Sequence, residues 1–139
     1  MEAESSGALD VHEVVVGATF RAELRRFLRR SERIARASGL TPQRYQLLLM
    51  IKGAPGGAER STVTHLSERL QLAQSTVTEL VHRAEEAGLI EREQSQRDAR
   101  VAYLRLTAEG ERRLMQSFTG LADERENLRD AIAHLPETG

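Results

Sequence analysis

Residues 61–106 constrain this chain more than any other stretch: two short amphipathic segments separated by a tight turn run directly into two alternating segments. Thr62 can cap a short helix through Leu70, with Val63, Leu66 and Leu70 facing inward. The turn QLAQ leads into a second helix from about Gln74 to Ala87, where Val77, Leu80, Val81 and Ala84 recur at helical spacing. Gly88 terminates it. LIEREQ and VAYLRL then alternate apolar and polar residues around SQRDAR, the pattern of a β-hairpin with a long polar tip.

Helix-turn-helix followed at once by a hairpin is the plan of a winged helix. Its second helix is thin enough to enter a major groove about 12 Å wide. The hairpin tip reaches sideways toward the minor groove or the backbone, where negative potential favours Arg.

The flanks read as helices. Asp10 and Glu13 have capping-box spacing. An apolar stripe then runs through Val16, Phe20, Leu24, Phe27, Ser31, Ile34 and Ala35, and Gly39 closes that helix. Thr41-Pro42 restarts the chain as N-cap and first-turn proline. TPQRYQLLLMIKG is apolar on several sides and therefore central; Gly53 stops it and APGGAER forms a loop. Thr107 caps a last helix whose leucines recur at 114, 121, 128 and 135, with Phe118 and Ile132 beside them. That heptad spacing suits packing against another helix, and Gly120 is the point where it can break.

The fold class expected is mainly α with a small β-hairpin: a winged helix-turn-helix flanked by N- and C-terminal dimerisation helices. Composition narrows function by exclusion. The absence of cysteine removes disulfides, thiol redox sensing and Cys-ligated zinc. His12, His65, His82 and His134 lack metal-ligand spacing, so no metal and no cofactor is expected. Absence of a signal-peptide pattern or a membrane-length apolar run points to a cytoplasmic protein. The formal net charge of -1 does not advertise a nucleic-acid binder, yet Lys52 is the only lysine among twenty basic residues. Arg makes planar, bidentate contacts to phosphate and guanine. Seven arginines, at 21, 25, 26, 29, 30, 33 and 36, crowd the first helix and read as a solvated face paired with Glu23 and Glu32.

LTPQRYQLLLMI, TVTHLSERLQLAQSTVTELVHRAEEAGLIERE and RDARVAYLRLTAEG together resemble the MarR family of bacterial regulators over about residues 39–114. LAQSTVTELVHR stands at the family's recognition helix, GLIER leads into its wing, DAR stands in the wing and LTAEG follows it. The resemblance implies a homodimer joined through first and last helices that usually represses genes and releases DNA when a small molecule binds. It divides the chain into a disordered leader, residues 1–9, and one domain over 10–139. Within that domain the winged helix spans about 40–107, and the dimerisation helices about 10–38 and 108–135.

Gln74, Ser75, Thr76, Thr78, His82 and Arg83 lie off the core face of the recognition helix. In a winged helix they are the DNA-contacting set, with Arg83 reaching phosphate or bracing the wing. The resemblance maps Asp98 and Arg100 onto the family's wing motif, where the Asp orients the hairpin through a salt bridge and the Arg enters the minor groove; Arg97 flanks them. Glu79 stands where relatives often carry Arg. It either accepts from a cytosine amino group or, as is expected here, pairs with Arg83 at i+4. Ala73 replaces the usual capping Ser, a loss of roughly 1 kcal/mol, and Gln71 takes the place of the common turn Gly. For a small aromatic or anionic effector, Arg44 and Tyr45 are the candidate contacts.

The function that emerges is sequence-specific binding of a pseudo-palindromic double-stranded operator. The alternative is a winged helix that serves as a protein-interaction module. An enzyme is rejected: no nucleophile-base arrangement or paired catalytic carboxylates stand out, and APGG lacks the following Lys-Ser/Thr of a P-loop. The terminal LPETG equals a sortase motif without the apolar and basic tail that anchoring needs, so it reads as coincidence or an added tag.

Overall fold

The computed structural model describes residues 8–135; the expected leader up to residue 7 and positions 136–139 of LPETG lie outside the described residues. In chain order the elements are α1 (Val11–Ala37), α2 (Pro42–Lys52), a 3-10 turn (Pro55–Gly57), α3 (Val63–Leu70), α4 (Gln74–Glu86), β1 (Ile90–Gln94), β2 (Ala102–Leu106), α5 (Ala108–Gly120) and α6 (Ala122–Ala133). The fold is mainly α with one two-stranded antiparallel hairpin, as the sequence pattern predicts. It divides into two compact units, Glu32–Gly120 and the segments on either side of it.

In the larger unit α2 is the hub, touching α3, α4, α5 and β2. Its Tyr45, Leu47, Leu48 and Ile51 are buried, together with Leu66 of α3, Val77, Val81 and Ala84 of α4, and Leu104 of β2. Of the three α3 residues expected inside, only Leu66 is fully buried; Val63 and Leu70 sit half-buried at the margins of an eight-residue helix. The caps explain the boundaries. The Thr41 hydroxyl accepts from the Arg44 N–H at 3.2 Å, and that of Thr62 from the His65 N–H at 3.2 Å. α1 ends in a Schellman turn: Gly39, at φ +78°, donates to the Arg36 carbonyl while Leu40 donates to that of Ala35.

Behind the hairpin, Thr107 ties α5 to the end of α4. Its hydroxyl donates to the Gly88 carbonyl at 2.6 Å and accepts from the Gly110 N–H at 3.1 Å. Gly110 packs so closely on the residue preceding β1 that a Cβ there would stand 2.0 Å from the Leu89 carbonyl oxygen, which gives the Gly of LTAEG a steric reason. One turn on, Arg113 binds Glu109 at 2.8 Å and donates to the Gly39 carbonyl at 3.2 Å, locking α5 onto the end of α1. Arg112 and then Arg113 hold the Glu109 carboxyl down at about 2. Lys52 closes α2 with two ion pairs, to Glu111 at 2.7 Å and Glu59 at 2.9 Å, and these raise its ammonium pKa in that order.

The break at Gly120 is real: α5 ends there, Leu121 is the N-cap of α6 in a non-helical conformation and makes no side-chain capping bond, and α6 follows. In the smaller unit Glu124 of α6 binds Arg30 of α1 at 2.7 Å. The expected pairing of the arginine-rich face needs correction. Glu23 binds only Arg26, at 2.9 Å, and Glu32 pairs with none of these arginines among the described residues. Exposed charges on a helix surface are screened by solvent and need no partner.

Candidate nucleic-acid interface

α3, the turn and α4 carry the recognition geometry. Gln71 occupies the left-handed conformation at φ 57° that a Gly adopts more easily, and its amide donates to the Glu68 carbonyl at 2.6 Å. Ser67 closes the turn by donating to the Leu72 carbonyl at 2.6 Å. Ala73 is the N-cap of α4 and supplies no side-chain bond, as its chemistry requires.

Every expected contact residue of α4 is exposed: Gln74, Ser75, Thr76, Thr78, His82 and Arg83. The hydroxyl of Thr78 donates to the Gln74 carbonyl at 2.8 Å, so it meets an incoming ligand through its lone pairs and methyl group. Glu79 pairs with Arg83 at 3.0 Å, the expected i,i+4 bond, and Glu86 pairs with His82 at 2.8 Å. Because Val77, Leu80, Val81 and Ala84 face inward, the line farthest from the core runs through Ser75, Glu79, His82 and Glu86. The line through Gln74, Thr78 and His82 lies on its flank. Glu86 was absent from the sequence-based set, although its i+11 spacing from Ser75 is visible once the buried face is known.

The wing is antiparallel, with Ile90 opposite Leu106 and Gln94 opposite Ala102. Ser61 adds a bridge to Leu104, donating at 3.1 Å and accepting at 2.7 Å, which fastens the approach to α3 onto the hairpin. At the tip, Asp98 accepts from the Arg100 N–H at 3.0 Å and from its guanidinium at 3.2 Å. Those bonds, the backbone one first, hold the Asp98 carboxyl below its usual range. Gln94 further braces the tip through the Ala99 carbonyl. Arg97 and Arg100 both project into solvent. Arg92 bonds Glu85 of α4 at 3.0 Å. Together with Arg100, Thr62 and Thr64 it lines a cleft of about 350 Å³ between α3 and the wing. Sequence reasoning reached Arg100 but not Arg92 or Thr64, which the hairpin register brings to the same cleft.

Residues 38–101 match the sequence model described as the MarR family. This segment has a winged helix-turn-helix fold and is similar to the MarR family. The MarR likeness extends over most of the fold. Apo MarR from E. coli superimposes with a TM-score of 0.69 at 19% identity, covering 82% of each chain. AbsC, a MarR family transcriptional regulator from Streptomyces coelicolor, gives 0.69 at 21% identity, over 94% of this chain and 84% of its own. A mutant of E. coli MarR complexed with operator DNA gives 0.69 at 19%, over 92% and 94%. At these identities the likeness is one of fold. Curated protein sequences provide no match.

The two effector candidates, Arg44 and Tyr45, do not form an open site. Tyr45 is 5% exposed within the core, so its ring is not presented for stacking, and Arg44 is half-buried beside it. The open apolar surface lies elsewhere, in a groove of about 860 Å³ whose walls include Lys52, Ala108, Leu114, Met115 and Thr119. Among the described residues no helix is long and apolar enough to cross a membrane, and no group of three metal-ligating side chains occurs.

Proposed function

We propose that this chain is a homodimeric, sequence-specific double-stranded DNA-binding regulator of transcription, acting in the cytoplasm as a repressor that a small molecule relieves. The observation that carries the reading is the joint presentation of two exposed surfaces by one compact unit. α4 offers an exposed polar outer face, and the wing offers Arg100 on a tip that Asp98 organises. In this reading Gln74, Ser75, Thr76, Thr78, His82 and Arg83 meet the major groove, and Arg97, Asp98 and Arg100 form the wing contact. The complex of an E. coli MarR mutant with operator DNA, and that of an S. aureus MepR mutant with an oligodeoxyribonucleotide, support the assignment by fold.

Dimerisation fits the exposed apolar residues of α1. Val11, Val14 and Val15 are 74%, 50% and 55% exposed, a cluster that a second copy would cover. A two-fold dimer places its recognition helices about one helical turn apart, hence a pseudo-palindromic operator with half-sites roughly 10 bp apart. The effector would enter the groove beside Leu114 and Met115, where Lys52 and Arg112 edge an apolar wall, rather than the core around Tyr45.

The test is duplex binding by fluorescence anisotropy on a protein whose mass is followed by light scattering. A dimer that binds random duplex at low salt, with affinity falling steeply as salt rises, supports the proposal. A monomer at micromolar concentration removes the dimer, and no binding at about 50 mM salt removes the DNA function. The carboxylates on the outer line of α4 favour the second reading, a winged helix that docks on another protein, and the absence of DNA binding would promote it.

A further inference from the structure

The outermost line of α4 carries an acid at its centre, and that acid is neither buried nor part of the scaffold. The Glu79 and Arg83 side chains are 64% and 62% exposed, and a single bond joins Glu79 Oε1 to Arg83 Nη2 at 3.0 Å. Its second oxygen, Oε2, has no hydrogen bond among the described residues. Of the other groups on this line, Glu86 is occupied with His82 at 2.8 Å, and Ser75 is a turn nearer the N-terminus.

A carboxylate brought to a duplex meets one phosphate charge per roughly 1.7 Å of axis, so it is repelled unless it finds a donor. The major groove holds two kinds of amino donor. On adenine the N6 amino group lies beside the N7 acceptor, which repels a carboxylate. On cytosine the N4 amino group is the base's sole polar group in that groove. Guanine and thymine show acceptors only. The bond to Arg83 offsets part of the carboxylate's charge, while the remaining guanidinium donors are of the type that guanine O6 and N7 accept.

We propose that Glu79 makes the recognition helix select cytosine at one position of the half-site, with the Glu79–Arg83 pair matched to a C·G base pair. The proposal rests on the DNA-binding reading above and sharpens it into a base preference. Glu79, where the resemblance leads one to expect Arg, then acts as a reader with inverted polarity and not as a defect in a weakened binder.

Selection of duplexes from a random pool by wild type, Glu79→Gln and Glu79→Ala tests it, followed by anisotropy at fixed salt on the selected sites. Wild type should fix cytosine at one symmetric position, and replacing that cytosine should weaken binding roughly 5- to 150-fold. Glu79→Gln should move the preference at that position toward adenine, because an amide can donate to N7 while accepting from N6. Glu79→Ala should lose preference there and keep it elsewhere. Uniformly tighter binding by Glu79→Ala to selected and random DNA, with an unchanged logo, would show that Glu79 only repels phosphate and would overturn the proposal. So would a wild-type logo without a cytosine position. A pool from which wild type enriches no duplex at low salt overturns the regulatory reading itself and this inference with it, a result distinct from enrichment of cytosine-free sites.

Discussion

Replacing Gly110 with alanine puts a methyl group where the structure has backbone. The added Cβ would lie 2.0 Å from the Leu89 carbonyl oxygen, against about 3.4 Å for ordinary contact, so α5 or the start of β1 must retreat by about 1.4 Å. That carbonyl also accepts the Thr107 N–H at 3.0 Å, so the retreat strains a bond that joins hairpin to helix. Overpacking of this kind costs about 1–3 kcal/mol, and the weakened hydrogen bond adds to it. Better helix propensity returns up to about 1 kcal/mol. The net expectation is a loss of roughly 1–3 kcal/mol, seen as a fall in thermal midpoint of roughly 3–12 °C for a chain of this size. Gly17→Ala is the matched control. No atom lies within 4 Å of its added Cβ, so the same substitution should stabilise, by up to about 1 kcal/mol. Urea and thermal melts of the two variants beside wild type decide the matter. A Gly110→Ala protein as stable as wild type, or both variants moving in one direction, would refute the steric account.

Arg100→Ala should weaken selected and random DNA by similar factors and flatten the logarithmic salt slope by up to about one unit, because a wing-tip Arg acts on phosphates or the minor groove; loss confined to the selected site in a salt titration would reverse that role. Glu109 should titrate near 2 by carboxyl NMR, and Arg112→Gln should return it toward 4.5. A depressed folded value favours the ionised form, so this group's support for the fold is complete above the ordinary Glu range and disappears as pH falls from about 4.5 toward 2; an unshifted Glu109 signal would contradict the pairing.

Much of this fold is written in local chemistry, which is why it could be read. Thr41, Thr62 and Thr107 act through bonds spanning three residues, and Gly39 and Gly88 through backbone angles that other residues resist. Such signals need no tertiary context. The spacing of Val77, Leu80, Val81 and Ala84 likewise gives the buried face of α4 directly. What escaped depends on distant partners. The Ser61–Leu104 bridge rests on a single residue with no periodicity around it, and Arg113 finds the Gly39 carbonyl across a long stretch of chain. Arg92 joins the cleft with Arg100 only through hairpin register. Tyr45 stood out because an aromatic beside an Arg suits an anionic ligand, but α2 is surrounded on several sides and the Tyr45 ring lies in the core. The seven arginines of α1 show the opposite error: Glu23 and Glu32 are close in sequence, yet exposed side chains gain little by pairing, and Glu32 takes none of them.

Lys52 gives the molecule an unusual chemical simplicity. It is the only lysine of the sequence, so amine-directed acylation has one side-chain target, at the end of the most central helix. Glu111 and Glu59 hold that ammonium in its protonated, non-nucleophilic form, which should make the target slow as well as solitary. An acyl group that did reach it would abolish both ion pairs at once and leave two carboxylates facing a neutral amide at the mouth of the apolar groove. Acylation state at this one position would therefore report on, and alter, the electrostatics of the groove without touching the arginines of α4 or the wing.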